Sequence, residues 1–260
     1  MGIGNLIYIK ITKLISSVRQ FSSITSVHSR GLAFKLVSDN WITKYRARTF
    51  NEKEPEMLDW LDEKLHDGDV FFDVGANVGI YSIYAAMRNR NSHIFAFEPE
   101  YSNLHQLKQN ILNNKLANNI ETYSIAFNDK SGISYLHLQD ETPGAALSTV
   151  SDEELSETVT GHKIVWKEGI AVMSLDEFCD QVGIQPTMIK IDVDGNELSI
   201  LKGGAKTFMD SKLRSVFIEV DTSQPEYSRV LDNYGFKLNR NKKNKNDRFE
   251  NQVWEKSESL

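Results

Sequence analysis

Two glycines four residues apart, Gly75 and Gly79, sit in the stretch DVGANVGIYS (73–82), just after an apolar run that ends in an acid, Asp73. A glycine turn between a strand and a helix brings backbone close to a ligand and aims helix N–H groups at it. A dinucleotide site requires G-x-G-x-x-G, because the middle glycine lets the backbone reach a pyrophosphate. Counted from Gly75, the middle position is Asn77 and the last is Ile80. A P-loop ends in Gly-Lys-Ser/Thr, whereas Gly79 is followed by Ile80 and Tyr81. Neither phosphate template fits. What remains is a ligand that the backbone approaches closely but that offers no phosphate. S-adenosylmethionine, a nucleoside with a sulfonium cation and an amino-acid tail, has that chemistry. Asp73 would serve the cationic side, directly or through water, and the turn backbone (Gly75, Asn77, Gly79) would favour the tail carboxylate. Glu98 ends the next apolar run, 25 residues beyond Asp73, where an acid can accept hydrogen bonds from both ribose hydroxyls. The bland alternative makes Asp73 a helix cap and Glu98 a solvated strand end.

These groups need strands and helices in alternation to hold them. From residue 54 onward, short apolar runs alternate with helical stretches, the mark of a parallel sheet with crossover helices. EPEMLDWLDEKL (54–65) reads as a helix with Pro55 in its first turn. GDVFFDVG supplies the first strand and NVGIYSIYAAMRN the helix after it; HIFAFEP (93–99) is the second strand, NLHQLKQNILNN the next helix, and IETYSIAF (120–127) a third strand. TMIKIDVDGNE (187–197) is a strand and turn, NELSILKGGAKTF a helix, SVFIEVD (215–221) a fifth strand, and YGFKLNR and NQVWEK the last two. The expected fold is α/β, a mostly parallel, doubly wound sheet of about seven strands with helices on both faces. GISYLHL (132–138) alternates like a further strand, and the polar stretch after it, about 139–163, reads as a lid, a binding loop or a disordered insertion.

FFDVGANVGIYS, FAFEPEYSNLHQLKQN and IKIDVDGNELSILKGG, in that order, resemble the FkbM-type family of S-adenosylmethionine-dependent methyltransferases, over roughly residues 50–255. The resemblance implies a Rossmann-like class I methyltransferase fold, S-adenosyl-L-methionine as cofactor, and methylation of a hydroxyl on a small molecule or glycan. It also implies that Ser124, Ile125 and Ala126 border the adenine. One position departs from the family: Asp194 stands where Glu is usual, which keeps the charge and shortens its reach. A non-catalytic module that binds the adenosyl ligand or a partner is the alternative from another class. A nicotinamide oxidoreductase is disfavoured by the missing middle glycine.

Methyl transfer from a sulfonium is an in-line displacement, so the protein contributes mainly alignment in a dry site, worth several kcal/mol. A hydroxyl acceptor also needs a base or a metal to take its proton. In an open α/β sheet the site lies at the carboxyl ends of the strands, where Asp192, Asp194 and Glu197 follow the fourth strand and Glu219 ends the fifth. Asp192 is expected nearest the methyl donor, with Asp194 and Glu219 next as base or acceptor partner. Glu197 serves equally well as a cap for the helix starting near Asn196. Carboxylates and Asn196 are hard oxygen ligands, but no spacing demands a metal and none is expected. His137 and His162 flank the polar insertion and read as surface residues; Glu52 and Glu54 precede the core, where a loop would cover the donor.

The 260 residues carry 40% hydrophobic and 25% charged side chains, the composition of an ordinary globular domain. A net charge of −6 argues against nucleic acid as a partner. The tract NRNKKNKNDR (239–248) reads as a solvated loop between late strands, and the single cysteine, Cys179, as a core residue that excludes an internal disulfide. The first 40 residues differ, with Asp39 their only acid and an amphipathic stripe at Ile7, Ile11, Leu14, Ile15, Val18 and Phe21. Residues 1–40 are therefore expected to form a basic helical extension before a methyltransferase domain over 41–260. That helix packs on its own domain or a dimer partner, lies on an anionic membrane through residues 3–24, or is an organellar import segment. A cytoplasmic location is expected, with membrane contact and import as the alternatives.

Overall fold

The computed structural model describes residues 23–146, 148–153, 163–243 and 248–256. The stripe Ile7–Phe21 lies outside them. The described chain opens with a hairpin, β1 (Ile24–Ser29) and β2 (Leu32–Val37), turned at Arg30 (φ 47°) and Gly31 (φ 83°). Two positive φ angles in a two-residue loop match the right-handed twist of the strands. The expected helical extension therefore does not reach residue 40. Val27, Phe34 and Leu36 are buried in the same cluster as Phe50 and Met57, so the packed domain begins ahead of residue 41. Two helices follow, α1 (Trp41–Lys53), capped by the Asn40 side chain on the Thr43 amide at 3.0 Å, and α2 (Pro55–Lys64), with proline at its first position.

The remaining elements are β3 (Val70–Val74), α3 (Ile80–Arg88), β4 (His93–Phe97), α4 (Tyr101–Asn113), β5 (Ile120–Tyr123), β6 (Ala126–Phe127), β7 (Gly132–Leu138), β8 (Thr149–Ser151) and β9 (Trp166–Met173). After them come α5 (Leu175–Val182), β10 (Met188–Ile191), α6 (Glu197–Gly203), α7 (Ala205–Met209), β11 (Ser215–Asp221), α8 (Glu226–Asn233), β12 (Phe236–Lys243) and β13 (Phe249–Lys256). Seven strands form the central sheet in the order β12-β13-β11-β10-β3-β4-β5. From β11 to β5 all are parallel, and β13 runs antiparallel to its two neighbours. These are the seven runs expected from the sequence. The chain winds outward from β3 to β5, then returns to lay β10 on the other side of β3. That reversal opens a crevice at the carboxyl ends of β3 and β10.

Side chains alternate across the sheet. Phe71 and Met188 enter one hydrophobic layer with Trp60, Leu61 and Ile83, whereas Phe72, Ile189 and Ile191 enter the other with Phe97 and Phe178. Asp73 and Lys190 are therefore on the Phe71 and Met188 side, and the register pairs them directly.

Two differences from the sequence reading concern the middle of the chain. The run 120–127 divides at Ser124: β5 stays in the central sheet, while β6 pairs with β9 in a four-stranded sheet of order β6-β9-β7-β8. β8 and β9 are strands that periodicity did not mark, because β9 starts on exposed Trp166 and Lys167 and buries only Ile170 and Val172. Among the described residues no helix is long and apolar enough to cross a membrane.

The outer edge of β2 is closed by side-chain amides on α4 and its cap rather than by another strand. Gln106, Asn110 and Asn114, four residues apart, line one helix face. Gln106 donates to the Val37 carbonyl (2.9 Å), Asn110 accepts from the Val37 amide (2.7 Å), and Asn114 both accepts from and donates to Lys35 (2.8 and 2.7 Å). Asn110, fully buried, also donates to the Val78 carbonyl at 2.8 Å, so it ties the hairpin to the glycine turn. Asn110→Leu strands the part-buried Val37 amide and the buried Val78 carbonyl, and is expected to cost about 2–4 kcal/mol in urea unfolding.

Candidate functional site

At the end of β3, Asp73 is 1% exposed. The Ser82 hydroxyl donates to its Oδ2 at 2.5 Å, and the Lys190 ammonium lies 3.1 Å from its Oδ1. Lys190 is itself only 2% exposed, donates to the Gly75 carbonyl at 3.1 Å, and stands 3.6 Å from Asp192 Oδ2. Burial lowers its pKa, but Asp73 and then Asp192 outweigh burial and raise it above the ordinary lysine value. Asp73 thus turns inward. The expected contact between Asp73 and a ligand's cation is replaced by an internal ion pair that holds up the crevice floor. The signal for Lys190 was present as a lysine inside the buried run MIKI (188–191).

The two glycines have different duties. A Cβ on Gly75 (φ 77°) would lie 1.9 Å from the Asp192 carbonyl oxygen, so only glycine lets β3 and β10 meet at their ends. A Cβ on Gly79 (φ 79°) would lie 2.0 Å from Leu107 Cδ1. Gly79 therefore serves the packing of α3 on α4, and it does not line the cleft. Between them Asn77 (φ 51°) donates its backbone N–H to Glu98 Oε2 at 2.7 Å.

A cleft runs over this turn, lined by Val74, Gly75, Asn77, Phe97, Glu98, Ile125, Ala126, Phe127, Asp192 and Asp194 among others. Ser124 is exposed and lies outside it, because the chain bends there to leave the central sheet. Glu98 also accepts from the Glu100 amide at 2.9 Å, which leaves further lone pairs for a ligand. Burial pushes the Glu98 carboxyl up to about 7 against the pull of those two amides. The first part of the expected insertion roofs the cleft. Asn77 Nδ2 donates to the Ala145 carbonyl (2.6 Å), Arg46 Nε to the Gly144 carbonyl (2.7 Å), Asn40 Nδ2 to the Pro143 carbonyl (3.0 Å), and the Gly144 amide to Asn103 Oδ1 (2.7 Å). Leu147 and residues 154–162, including His162, lie outside the described residues.

Beside the cleft is an acidic shelf, where Glu54, Tyr81, Lys190, Asp192, Asp194 and Glu219 converge. The Tyr81 hydroxyl donates to Glu54 Oε2 at 2.7 Å, which places Glu54, though not exposed Glu52, at the site. Burial, reinforced by Asp192, Asp194 and Glu197, pushes the Glu219 carboxyl up to about 8. Asp194 (φ 58°) and Gly195 (φ 116°) form a left-handed turn that short polar residues and glycine tolerate. Glu197 accepts the Gly195 and Val193 amides (3.1 and 3.4 Å) and the Tyr227 hydroxyl (3.5 Å), so it closes this turn from beneath. Asn196 is engaged with the Phe127 carbonyl at 2.9 Å. His137, expected at the surface, is buried in β7. Among the described residues no three of His, Cys, Asp and Glu are placed to hold a metal ion.

The contrast between the glycines is measurable. Gly75→Ala meets backbone and is expected to cost about 3 kcal/mol or more, whereas Gly79→Ala meets a flexible leucine and costs less. Denaturant midpoints that rank the two variants the other way would contradict this division of roles.

The fold and the three sequence motifs have counterparts in known proteins. The model of the methyltransferase FkbM domain matches residues 73–238, more than half of the chain. Hexuronic acid methyltransferase AglP of Haloferax volcanii is 24% identical over 68% of this chain and 67% of its own length. The 31-O-demethyl-FK506 methyltransferase FkbM of Streptomyces tacrolimicus is 24% identical over 66% of this chain and 74% of its own. The crystal structure of magnesium protoporphyrin IX methyltransferase from Synechocystis PCC 6803, with bound SAM, superposes with a TM-score of 0.50 at 11% identity, covering 84% of this chain and 85% of that one. That likeness is one of fold, the class I methyltransferase sheet. With the family match spanning the glycine turn, Glu98, Asp192, Asp194 and Glu219 in order, the chain belongs to the FkbM methyltransferase family.

Proposed function

We propose that the chain is an S-adenosylmethionine-dependent O-methyltransferase acting on a hydroxyl of a small molecule or glycan. The observation that carries this reading is the pairing of a largely apolar cleft, in which buried Glu98 follows β4, with an acidic shelf at the end of β10. The cleft's donor set suits an adenosyl group. Its sides are apolar at Val74, Phe97, Ile125 and Phe127, and Glu98 offers lone pairs for two ribose hydroxyls. Among the described residues no lysine or arginine lines that cleft, which suits a ligand without phosphates. S-adenosylmethionine, when bound, supplies an electrophilic methyl on a sulfonium.

The chain's own residues then do three things. Glu98 holds the ribose, Gly75 and Asn77 border the rest of the donor, and the roof at Ala145 keeps water out of the cleft. Asp192, braced by Lys190, accepts a hydrogen bond from the acceptor hydroxyl and orients it. Glu219, whose pKa of about 8 lies near neutrality, removes the hydroxyl proton as the oxygen is alkylated. Asp194 borders the same shelf and serves as a further acceptor contact. The curated relatives support the substrate class, since one is named for a hexuronic acid and the other for an oxygen of FK506.

Calorimetry provides the first test. S-adenosylhomocysteine is expected to bind and NAD is not, and Glu98→Ala should weaken binding about tenfold or more. Asp192→Asn should keep that affinity and lose turnover; normal turnover would remove Asp192 from the reaction.

A second test uses the sign of the Glu219 shift. A carboxyl raised in the folded state adds stability that is full below its ordinary value of 4.5 and is lost as pH rises through about 8. Glu219→Gln should therefore raise the melting temperature more at about pH 9 than at about pH 6, while removing the acid limb of the pH–rate profile, the rise in rate as pH climbs through about 8. An unchanged limb would assign the base elsewhere.

A further inference from the structure

A groove adjoins the shelf on the α1 side, and its character is opposite to that of the shelf. Trp41 and Tyr45, one helical turn apart on α1, line it while remaining 72% and 54% exposed. Two large flat rings held open to solvent beside a cleft offer a stacking surface. Among the described residues, three cations line the same groove, Arg46, Lys53 and Lys163, against one carboxylate, Asp140. Asp140 is engaged with the backbone of its own loop, accepting the Thr142 amide at 2.8 Å. Lys53 shares its charge with Glu54 at 2.8 Å. Arg46 spends its Nε on the Gly144 carbonyl, which holds the guanidinium plane in place and leaves its terminal nitrogens as a two-pronged donor. On a chain of net charge −6, this is a local concentration of positive charge.

The groove and the shelf are continuous, since Arg46, Lys53 and Ala146 line both. A ligand that spans them meets carboxylates at its inner end and aromatic rings with cations at its outer end. The inner end suits a hydroxyl that must lose a proton. The outer end suits a ring with one apolar C–H face, which lies flat on an indole or phenol, and an anionic substituent for the arginine fork.

We propose that this groove is the acceptor subsite and that the acceptor is an anionic pyranose, a sugar ring bearing a carboxylate or phosphate. Trp41 and Tyr45 form the stacking platform. Arg46, Lys53 and Lys163 receive the anion, and the hydroxyl to be methylated reaches Asp192. The inference rests on the methyltransferase reading of the adjoining shelf, yet the groove binds its sugar through residues that the donor cleft does not use.

The test is calorimetry on the full chain, with and without saturating S-adenosylhomocysteine, using methyl glucuronide, glucose 6-phosphate and methyl glucoside as probes. At least one anionic sugar is expected to bind about tenfold or more tightly than the neutral glucoside, and the preferred one identifies the anion as carboxylate or phosphate. Trp41→Ala and Lys163→Glu, both exposed and outside the catalytic shelf, should each weaken that binding about tenfold and leave S-adenosylhomocysteine affinity unchanged. Equal binding of charged and neutral sugars overturns the proposal, as does S-adenosylhomocysteine binding with no sugar bound at millimolar concentration. A dimer that dissociates on Trp41→Ala, with no sugar bound, would assign the groove to a second copy and overturn it as well. If selective anionic-sugar binding persists while S-adenosylhomocysteine does not bind, the groove stands and the donor reading falls.

Discussion

The buried ammonium of Lys190 is the point on which the site's architecture converges. It draws together the Asp73 carboxylate, the Gly75 carbonyl and the Asp192 carboxylate, which belong to two strands that the chain visits more than a hundred residues apart. A buried ion pair adds little net stability compared with apolar packing, because desolvation of both charges opposes their attraction. Its effect here is geometric. With Lys190 in place, β3 and β10 must end in register, and their carboxyl ends form one surface. Removing either charge would leave the other stranded in a low-dielectric interior, so the two constrain each other.

The second constraint is steric and acts at the same spot. Gly75 permits the Asp192 carbonyl to approach to a distance that any side chain would forbid. Within the turn, the Asn77 amide then donates to Glu98, while the Gly75 and Ala76 amides both donate to the Phe97 carbonyl. Polar anchors from α4 and from the loop at 143–145 complete the frame. Asn110, Asn103 and Asn77 each bond to backbone of another element, which fixes floor, turn and roof relative to one another. Electrostatics then differentiates the surface. Burial, reinforced by the nearby carboxylates, raises the Glu219 pKa to about 8, while α1 presents cations and rings just beyond the shelf.

The seven strands of the central sheet, the glycine turn and the acids at the strand ends were legible in the sequence, because buried parallel strands read as short apolar runs and each turn carries its own residue chemistry. The N-terminal hairpin was not. Its alternation at Phe34 and Leu36 is brief, and its outer edge is satisfied by helix amides that no local pattern announces. β9 was hidden for a similar reason, since half of it is charged and exposed. Gly79 resembled a ligand glycine, yet the atom that requires it is a leucine methyl on α4, a contact set by tertiary packing.

The sequence by itself determined which groups are available: a glycine turn without the spacing for phosphate, an acid at the end of the next strand, and a cluster of carboxylates after the fourth. These are local properties, written in residue type and spacing. Only the tertiary structure decided which of them line the cleft and the shelf. It turned Asp73 inward onto Lys190, removed Ser124 from the cleft, placed Glu54 beside Tyr81, and set Trp41 and Arg46 next to the shelf. The physical reason is that the ends of two parallel strands become neighbours through register and long-range charge pairing, and no spacing along the chain records that adjacency.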